Sequence, residues 1–187
     1  MRHRIGTALL LALVVTLAPV VVLAGEVKPG AKAVARVMPL GGSKVGGTIV
    51  FRQLDHGVEI TADITGLSPG AHGFHVHEFG DCSAPDGTSA GPHFNPGGAP
   101  HAGPDASAAH AGDYGNLVAD AQGHATLKLV SHRIAVGTGP EGVVGRSVIV
   151  HEKEDDLVSQ PTGNAGGRIG CGLIELEGGA TVPVRKP

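Results

Sequence analysis

The chain has 187 residues, with 31 glycines, 13 prolines and only 3% aromatic residues, and its formal net charge is −3. This composition predicts a single turn-rich β-domain and argues against a helical bundle. With 41% apolar residues, the chain is too hydrophobic for a disordered protein. The acidic balance argues against nucleic acid or anionic lipid as a partner.

The first 24 residues predict a secretory signal peptide. Arg2 and Arg4 precede an uncharged apolar run, and Val22 and Ala24 stand at positions −3 and −1 of a signal-peptidase site. An uncleaved membrane anchor is the alternative, because the run approaches the roughly 20 residues that a membrane-spanning helix needs. We therefore predict a periplasmic or secreted protein that is cleaved after Ala24 and then has no stable membrane association.

The predicted division of the chain is a signal peptide at 1–24, a short leader at 25–32 and one domain at 33–187. Removal of the signal deletes two positive charges and no acidic residue, so the net charge becomes −5. In the oxidising compartment that export implies, Cys82 and Cys171 favour a disulfide over a pair of buried free thiols.

Short runs of alternating apolar residues predict strands. Two longer segments are predicted to form hairpins, 47–67 with its turn at 55–57 and 114–130 with its turn at 121–123. Further single strands are predicted at 33–40, 146–152 and 172–176. Seven or eight short strands without helical periodicity predict an all-β fold, either a sandwich or a flattened barrel.

Two long segments lack the strand pattern. Residues 78–112 are rich in Gly, Pro, Ala and Ser, and residues 152–170 are rich in Gly and polar residues. Structureless loops of this length are uncommon in a compact domain unless they are functional or tied down. Each holds candidate metal-site residues and lies near a cysteine, so we predict that both are functional loops.

Histidine is the residue type that most clearly indicates a site, with eleven in the chain. His75 and His77 lie one residue apart in a predicted strand, so their side chains point to the same face, about 6.6 Å apart. Two imidazoles placed in this way can bind one metal ion. In contrast, His56, His124 and His132 fall at or beside turns or strand ends and are predicted to be solvated.

Further candidate ligands extend this pattern into the loops and a distant strand. They are His93, His101, His110, Asp113 and His151. Six histidines and one carboxylate exceed the four ligands of a tetrahedral ion, so we predict two ions. Neutral imidazole suits both copper and zinc, and the carboxylate favours zinc in its own set.

The segments GFHVHEFGDC, GPHFNP and GNAGGRIGCG resemble those of the copper–zinc superoxide dismutases, and the resemblance covers about residues 33–176. It implies a Greek-key β-sandwich or flattened eight-stranded barrel with two long functional loops. The implied copper ligands are His75, His77, His93 and His151. The implied zinc ligands are His93, His101, His110 and Asp113, so that the two metals share the ring of His93.

Other roles follow from the same resemblance. It implies a disulfide between Cys82 and Cys171. It places Arg168 near the open face of the copper, with Thr162 as the opposite wall of the substrate channel. It also makes Asp155 a carboxylate that hydrogen-bonds a histidine from each metal set and fixes the ring orientations.

The implied activity is the disproportionation of superoxide to dioxygen and hydrogen peroxide. Copper would cycle between Cu(II) and Cu(I), which zinc cannot do. His93 would release the reduced copper and take up a proton for the departing peroxide. Because the chain is acidic overall, Arg168 would supply the local positive charge that an anionic substrate needs.

The chain departs from the familiar animal enzymes in two places. Cys82 follows His77 by only five residues, which resembles bacterial members of the family. The segment 156–163 is shorter than in the animal enzymes and lacks the Glu and Lys residues credited there with guiding the substrate. These regions serve dimer contact and steering, so the sequence leaves two states open, a monomer and a homodimer.

Two other functions compete with the dismutase. One is a periplasmic copper- and zinc-binding or copper-buffering protein of the same fold. A chaperone of this kind is expected to expose soft ligands, yet the mature chain offers only Met38 beyond its two cysteines. The other is a copper-only relative, against which His101, His110 and Asp113 argue. The dismutase is the preferred prediction.

Overall fold

The computed structural model describes residues 28–178, so the predicted signal peptide lies outside the described residues. These residues form eight strands and a short 3-10 helix, Thr88–Ala90. The strands are β1 (Lys32–Pro39), β2 (Gly46–Gln53), β3 (Val58–Thr65), β4 (Gly70–His77), β5 (Asp113–Ala119), β6 (Ala125–Ser131), β7 (Ser147–His151) and β8 (Arg168–Leu176). Within this part of the chain, no helix has the length and apolar character that crossing a bilayer requires.

The strands form one antiparallel sheet in the order β5-β4-β7-β8-β1-β2-β3-β6. The two edge strands, β5 and β6, come into contact without pairing, so the sheet curls into a nearly closed barrel. The all-β fold and the flattened eight-stranded Greek-key barrel are therefore confirmed. β1 begins at Lys32, one residue inside the predicted leader.

One of the two predicted hairpins is wrong in its pairing. The segment 47–67 forms the expected hairpin of β2 and β3. In the segment 114–130, the backbone N–H of Asp120 donates to the carbonyl of His124 and closes the turn. Beyond that turn β5 pairs with β4 and β6 pairs with β3. The turn residues predict a reversal of the chain, but they do not determine which strands pair across it.

Alternation of side chains along the strands accounts for the core. On β3, Val58, Ile60, Ala62 and Ile64 are buried while the residues that alternate with them are more exposed, as expected for a half-buried antiparallel strand. β7 is buried along its whole length, from Ser147 to His151, because loops cover its outer face. The barrel interior is therefore apolar, and the covered outer face is where the loops pack.

The two long loops are held against this outer face. Residues 78–112 connect β4 to β5, and residues 152–167 connect β7 to β8. The predicted disulfide is present between Cys82 and Cys171, with a Cα–Cα distance of 5.8 Å. Because Cys171 is on β8 and Cys82 is in the first loop, the disulfide fastens that loop to the sheet.

Candidate metal centre

Seven side chains from three strands and the first long loop come together in two groups. The four-histidine group is His75, His77, His93 and His151, and the aspartate group is His93, His101, His110 and Asp113. In each group the candidate ligand atoms all lie within 4.8 Å of one another. All seven residues are buried, none with more than 6% of its surface exposed.

The positions of β4 and β7 explain how the four-histidine group forms. His75 and His77 are on β4, and their ring centroids lie 6.3 Å apart. β7 pairs with β4 and ends at His151. His93 lies in the first loop, where an isolated bridge pairs its backbone with that of His77. The sheet therefore supplies three rings, and the loop brings the fourth.

Within the described part of the chain, one nitrogen of each ring in this group has no hydrogen-bond partner. The four atoms are His75 Nδ1, His77 Nε2, His93 Nε2 and His151 Nε2. The opposite nitrogens of His75, His77 and His151 donate to oxygens of Asp155, Gly91 and Gly166, at 2.7, 2.8 and 3.3 Å. Each acceptor oxygen fixes the ring proton on the nitrogen that it contacts. The other, unpartnered nitrogen of the ring therefore carries a free lone pair.

The protonation of these rings suits metal binding. Burial, and then the neighbouring histidines, lower the pKa of His75 and His77 well below the usual value of 6.5. Burial also lowers the pKa of His151 to about 4. The rings are therefore neutral at neutral pH, which is the form that binds a metal ion.

The aspartate group brings nitrogen lone pairs and a carboxylate into close contact. Asp113 Oδ1 lies 2.8 Å from His93 Nδ1 and 3.2 Å from His110 Nδ1. His101 Nδ1 lies 3.1 Å from Asp113 Oδ2 but does not form a hydrogen bond. His93 Nδ1 and His110 Nδ1 are 3.4 Å apart. Such a buried cluster needs a proton or a cation to satisfy it.

The carboxylate of this group is ionised. Burial is the largest single influence and raises the pKa of Asp113, but the hydrogen bonds of His110 and His93 and their charge together outweigh it. The pKa of Asp113 is therefore held well below its usual range. An ionised carboxylate beside three imidazoles is a ligand set typical of zinc.

His93 is the one residue that belongs to both groups. Its Nδ1 atom contacts Asp113 in the aspartate group, and its Nε2 atom is unpartnered beside the other three histidines. Because the two nitrogens lie on opposite sides of the ring, one imidazole faces both candidate ion positions.

Asp155 links the two groups from the second long loop. Its Oδ2 atom accepts from His75 Nε2 at 2.7 Å, and its Oδ1 atom accepts from His101 Nε2 at 2.9 Å. The carboxylate is 1% exposed, so both bonds are shielded from water. This carboxylate sets the orientation and the tautomer of one ring in each group.

Two further residues determine the position of Asp155, one by hydrogen bonds and one by leaving space for its side chain. The Asn116 carboxamide pairs with its backbone, accepting from the Asp155 N–H at 2.8 Å and donating to the Asp155 carbonyl at 2.9 Å. Gly163 has φ 67°, and a Cβ at this position would overlap both Asp155 Oδ1 and the His101 ring. Asn116 carries no signal in the sequence, because its contact is with the backbone of a residue 39 positions away.

His72 is a buried histidine that belongs to neither group. Its Nδ1 atom donates to the carbonyl of His151 at 2.8 Å, and its Nε2 atom lies 2.9 Å from the carbonyl and 3.1 Å from the hydroxyl of Ser68. The ring therefore ties the start of β4 to the backbone of a candidate ligand. Sequence reasoning gave His72 no role, since its spacing carries no signal for a backbone contact.

Arg168 lies beside the four-histidine group. Its guanidinium donates to the carbonyls of Gly87 and Gly91, at 2.7 and 2.8 Å. The Gly91 carbonyl also accepts from His77 Nδ1. The pKa of His77 is lowered first by burial and then by His93, and the positive charge of Arg168 lowers it further. The guanidinium is therefore fixed within electrostatic reach of this group.

Thr162 lines a cavity of about 320 Å³ that reaches His93 and His110. The other residues of its wall are Glu78, Pro92, Asn95 and Pro161, and Arg168 is not among them. Of the three histidines predicted to be solvated, His56 and His132 are exposed, whereas His124 is partly exposed and its Nε2 atom donates to Asp63 Oδ1 at 2.9 Å.

The donor sets fit copper and zinc. Unpartnered imidazole nitrogens suit copper, and the set of three imidazoles and a carboxylate suits zinc. The fold and site thus define an all-β protein with two adjacent side-chain groups that could each hold a metal ion. Residues 45–174 match the family described as Copper/zinc superoxide dismutase (SODC), so the chain belongs to this family. The resemblance drawn from the sequence motifs is confirmed.

Proposed function

We propose that this chain is a superoxide dismutase that converts superoxide to dioxygen and hydrogen peroxide. In this proposal His75, His77, His93 and His151 hold copper, and His93, His101, His110 and Asp113 hold zinc. Bound copper would supply one-electron chemistry by alternating between Cu(II) and Cu(I), which zinc cannot do. The observation that carries the proposal is the position of His93 in both groups.

His93 also supplies a route for a proton. Its Nε2 atom has no hydrogen-bond partner among residues 28–178, while Nδ1 is fixed beside Asp113. A ring held at one nitrogen can take up a proton at the other and return it without changing its position. We propose that Nε2 of His93 gives one proton to the departing peroxide, and that solvent supplies the second proton that hydrogen peroxide needs.

Arg168 is proposed to attract and orient superoxide. Its guanidinium stays charged at any pH of interest and presents a fork of N–H donors to a small anion. Two backbone carbonyls hold it in one position, so little ordering is required when the anion arrives. Local positive charge of this kind raises encounter rates even on an acidic protein. Thr162, in the wall of the cavity beside His93, is proposed to line the substrate channel.

The test combines metal analysis with a superoxide-decay assay on the purified protein. We expect copper and zinc in equal amounts, activity that disappears on copper removal, and loss of activity in His93→Ala. His124→Ala is the matched control, because this partly exposed histidine belongs to neither group, and it should keep full activity. Bound copper without any dismutation would reject the proposal and favour the copper-buffering alternative.

We also propose that the protein is exported to the periplasm or secreted. Support comes from the sequence of residues 1–24 and from the disulfide, since disulfides persist in oxidising compartments. Mass analysis of the protein recovered from outside the cytoplasm should show an N-terminus at Gly25. An intact N-terminus in the membrane fraction would favour the uncleaved anchor.

A further inference from the structure

The backbone of His101 forms two hydrogen bonds with the side chain of Gln160, which lies in the other long loop. The Gln160 Oε1 atom accepts from the His101 N–H at 2.8 Å, and Gln160 Nε2 donates to the His101 carbonyl at 2.7 Å. Gln160 Nε2 also donates to the carbonyl of Val158 at 3.1 Å, which fixes the carboxamide itself. The two paired residues stand 59 positions apart in the chain.

This pairing complements the contact that Asp155 makes with the same histidine. Asp155 fixes the His101 ring through Nε2, but one hydrogen bond to the ring does not fix the backbone from which the ring extends. The carboxamide of Gln160 constrains that backbone through both its N–H and its carbonyl. Together the two side chains determine where His101 Nδ1 points, and both come from the loop that follows β7.

We propose that Gln160 is a positioning residue for the zinc ligand His101. This inference rests on the proposed function, because it assumes that the aspartate group holds zinc. Gln160 acts only through His101 and does not contact the candidate ion position itself. Gln160 lies in the segment 156–163, which lacks the Glu and Lys residues that guide the substrate in the animal enzymes. This segment would therefore help to retain the metal.

The first variant is Gln160→Ala, which removes both hydrogen bonds to His101 together with the one to Val158. The second is Gln160→Glu, which keeps one acceptor but places a carboxylate oxygen against the His101 carbonyl, where an N–H donated. Gln122→Ala is the matched control, since Gln122 is exposed in the turn at the far end of β5 from Asp113. All are made in the full protein loaded with copper and zinc.

Release of Zn²⁺ to a chromophoric chelator is measured beside release of copper. Partners that orient a metal-binding histidine typically change metal affinity 10–100-fold. We expect both Gln160 variants to release Zn²⁺ about tenfold faster than wild type, while copper release and the Gln122→Ala protein stay unchanged. With Co²⁺ in place of zinc, the visible absorption bands should also shift in the Gln160 variants, which a loss of general stability would not cause.

Two results would overturn the inference while leaving the proposed function intact. One is equal Zn²⁺ release from wild type and both Gln160 variants, with unchanged Co²⁺ bands. The other is an equal acceleration of copper release, which would mean that the whole loop has loosened. A wild-type protein that binds no zinc would overturn the proposed function, and this inference with it.

Discussion

His75 and Asp155 stand 80 positions apart, yet the histidine Nε2 donates a 2.7 Å hydrogen bond to the carboxylate Oδ2. The other oxygen of that carboxylate accepts from His101, so a single side chain orients one ring in each metal group. Among the described residues, the second ring nitrogen of each histidine has no hydrogen-bond partner. Asp155 is therefore expected to influence both metals together.

Asp155→Asn should weaken the binding of copper and zinc by about 10–100-fold each. The amide keeps one acceptor oxygen but turns an NH₂ group toward the second N–H, so one ring must rotate or change tautomer. Competition with chelators measures both affinities. Asp105→Asn is the control, because Asp105 is exposed in the same loop as His101. Equal metal affinities in Asp155→Asn and wild type would contradict this account.

Arg168→Ala should lower kcat/KM for superoxide by about tenfold or more while both metals remain bound. The substitution removes the fixed positive charge beside the four-histidine group, so the rate should also become less sensitive to ionic strength. Arg168→Lys keeps the charge but loses the fork of donors, and an intermediate rate is expected. Full activity in the alanine variant would remove Arg168 from the mechanism.

Replacement of both Cys82 and Cys171 by serine should lower the free energy of unfolding by up to about 4–5 kcal/mol. The estimate comes from the entropy of closing a loop with a sequence separation of 89 residues. Urea unfolding of the metal-free protein measures the loss. Wild type under strong reducing conditions is the comparison and should lose a similar amount. An unchanged midpoint with an unchanged slope would show that the disulfide adds no stability.

The metal-free protein should lose stability as the pH falls from about 6.5 to about 4. The pKa of His151 is lowered by burial from 6.5 to about 4, so between these values the unfolded chain binds a proton that the folded protein does not. This group alone corresponds to roughly 3 kcal/mol. His75 and His77 are shifted in the same direction.

Urea unfolding at a series of pH values tests this dependence. His151→Gln removes the titrating group and should reduce the loss over the same interval. The lowered pKa of Asp113 affects stability only below about pH 4, so it does not obscure the result. Stability that is constant or rises on acidification from pH 6.5 to pH 4 would contradict the prediction.

The strands and the candidate ligands were predictable because their signals are local. Alternation along β3 marks the buried face, and the i, i+2 spacing of His75 and His77 places both rings on one side of β4. The hairpin predicted at 114–130 failed because pairing at the seam of a barrel depends on the rest of the sheet. A turn sequence contains no information about those distant strands.

Most of the residues that position the candidate ligands could not be predicted from the sequence. Asn116, Gln160 and His72 all act on backbone atoms of residues far away in the chain, and backbone atoms are the same at every position. A residue of any type can supply the backbone atom in such a hydrogen bond, so the sequence does not indicate the contact. Asp155 is the exception, since the resemblance to the family supplied its role and its contacts lie with two histidine rings.

In the proposed dismutase, the ring of His93 is shared by two different ions. Anomalous diffraction from a crystal of the loaded protein, measured at the copper and zinc absorption edges, tests it most directly. We expect a copper peak beside Nε2 of His93, within the four-histidine group, and a zinc peak beside Nδ1, within the aspartate group. A His93 ring that contacts only one ion, or neither, would contradict the account.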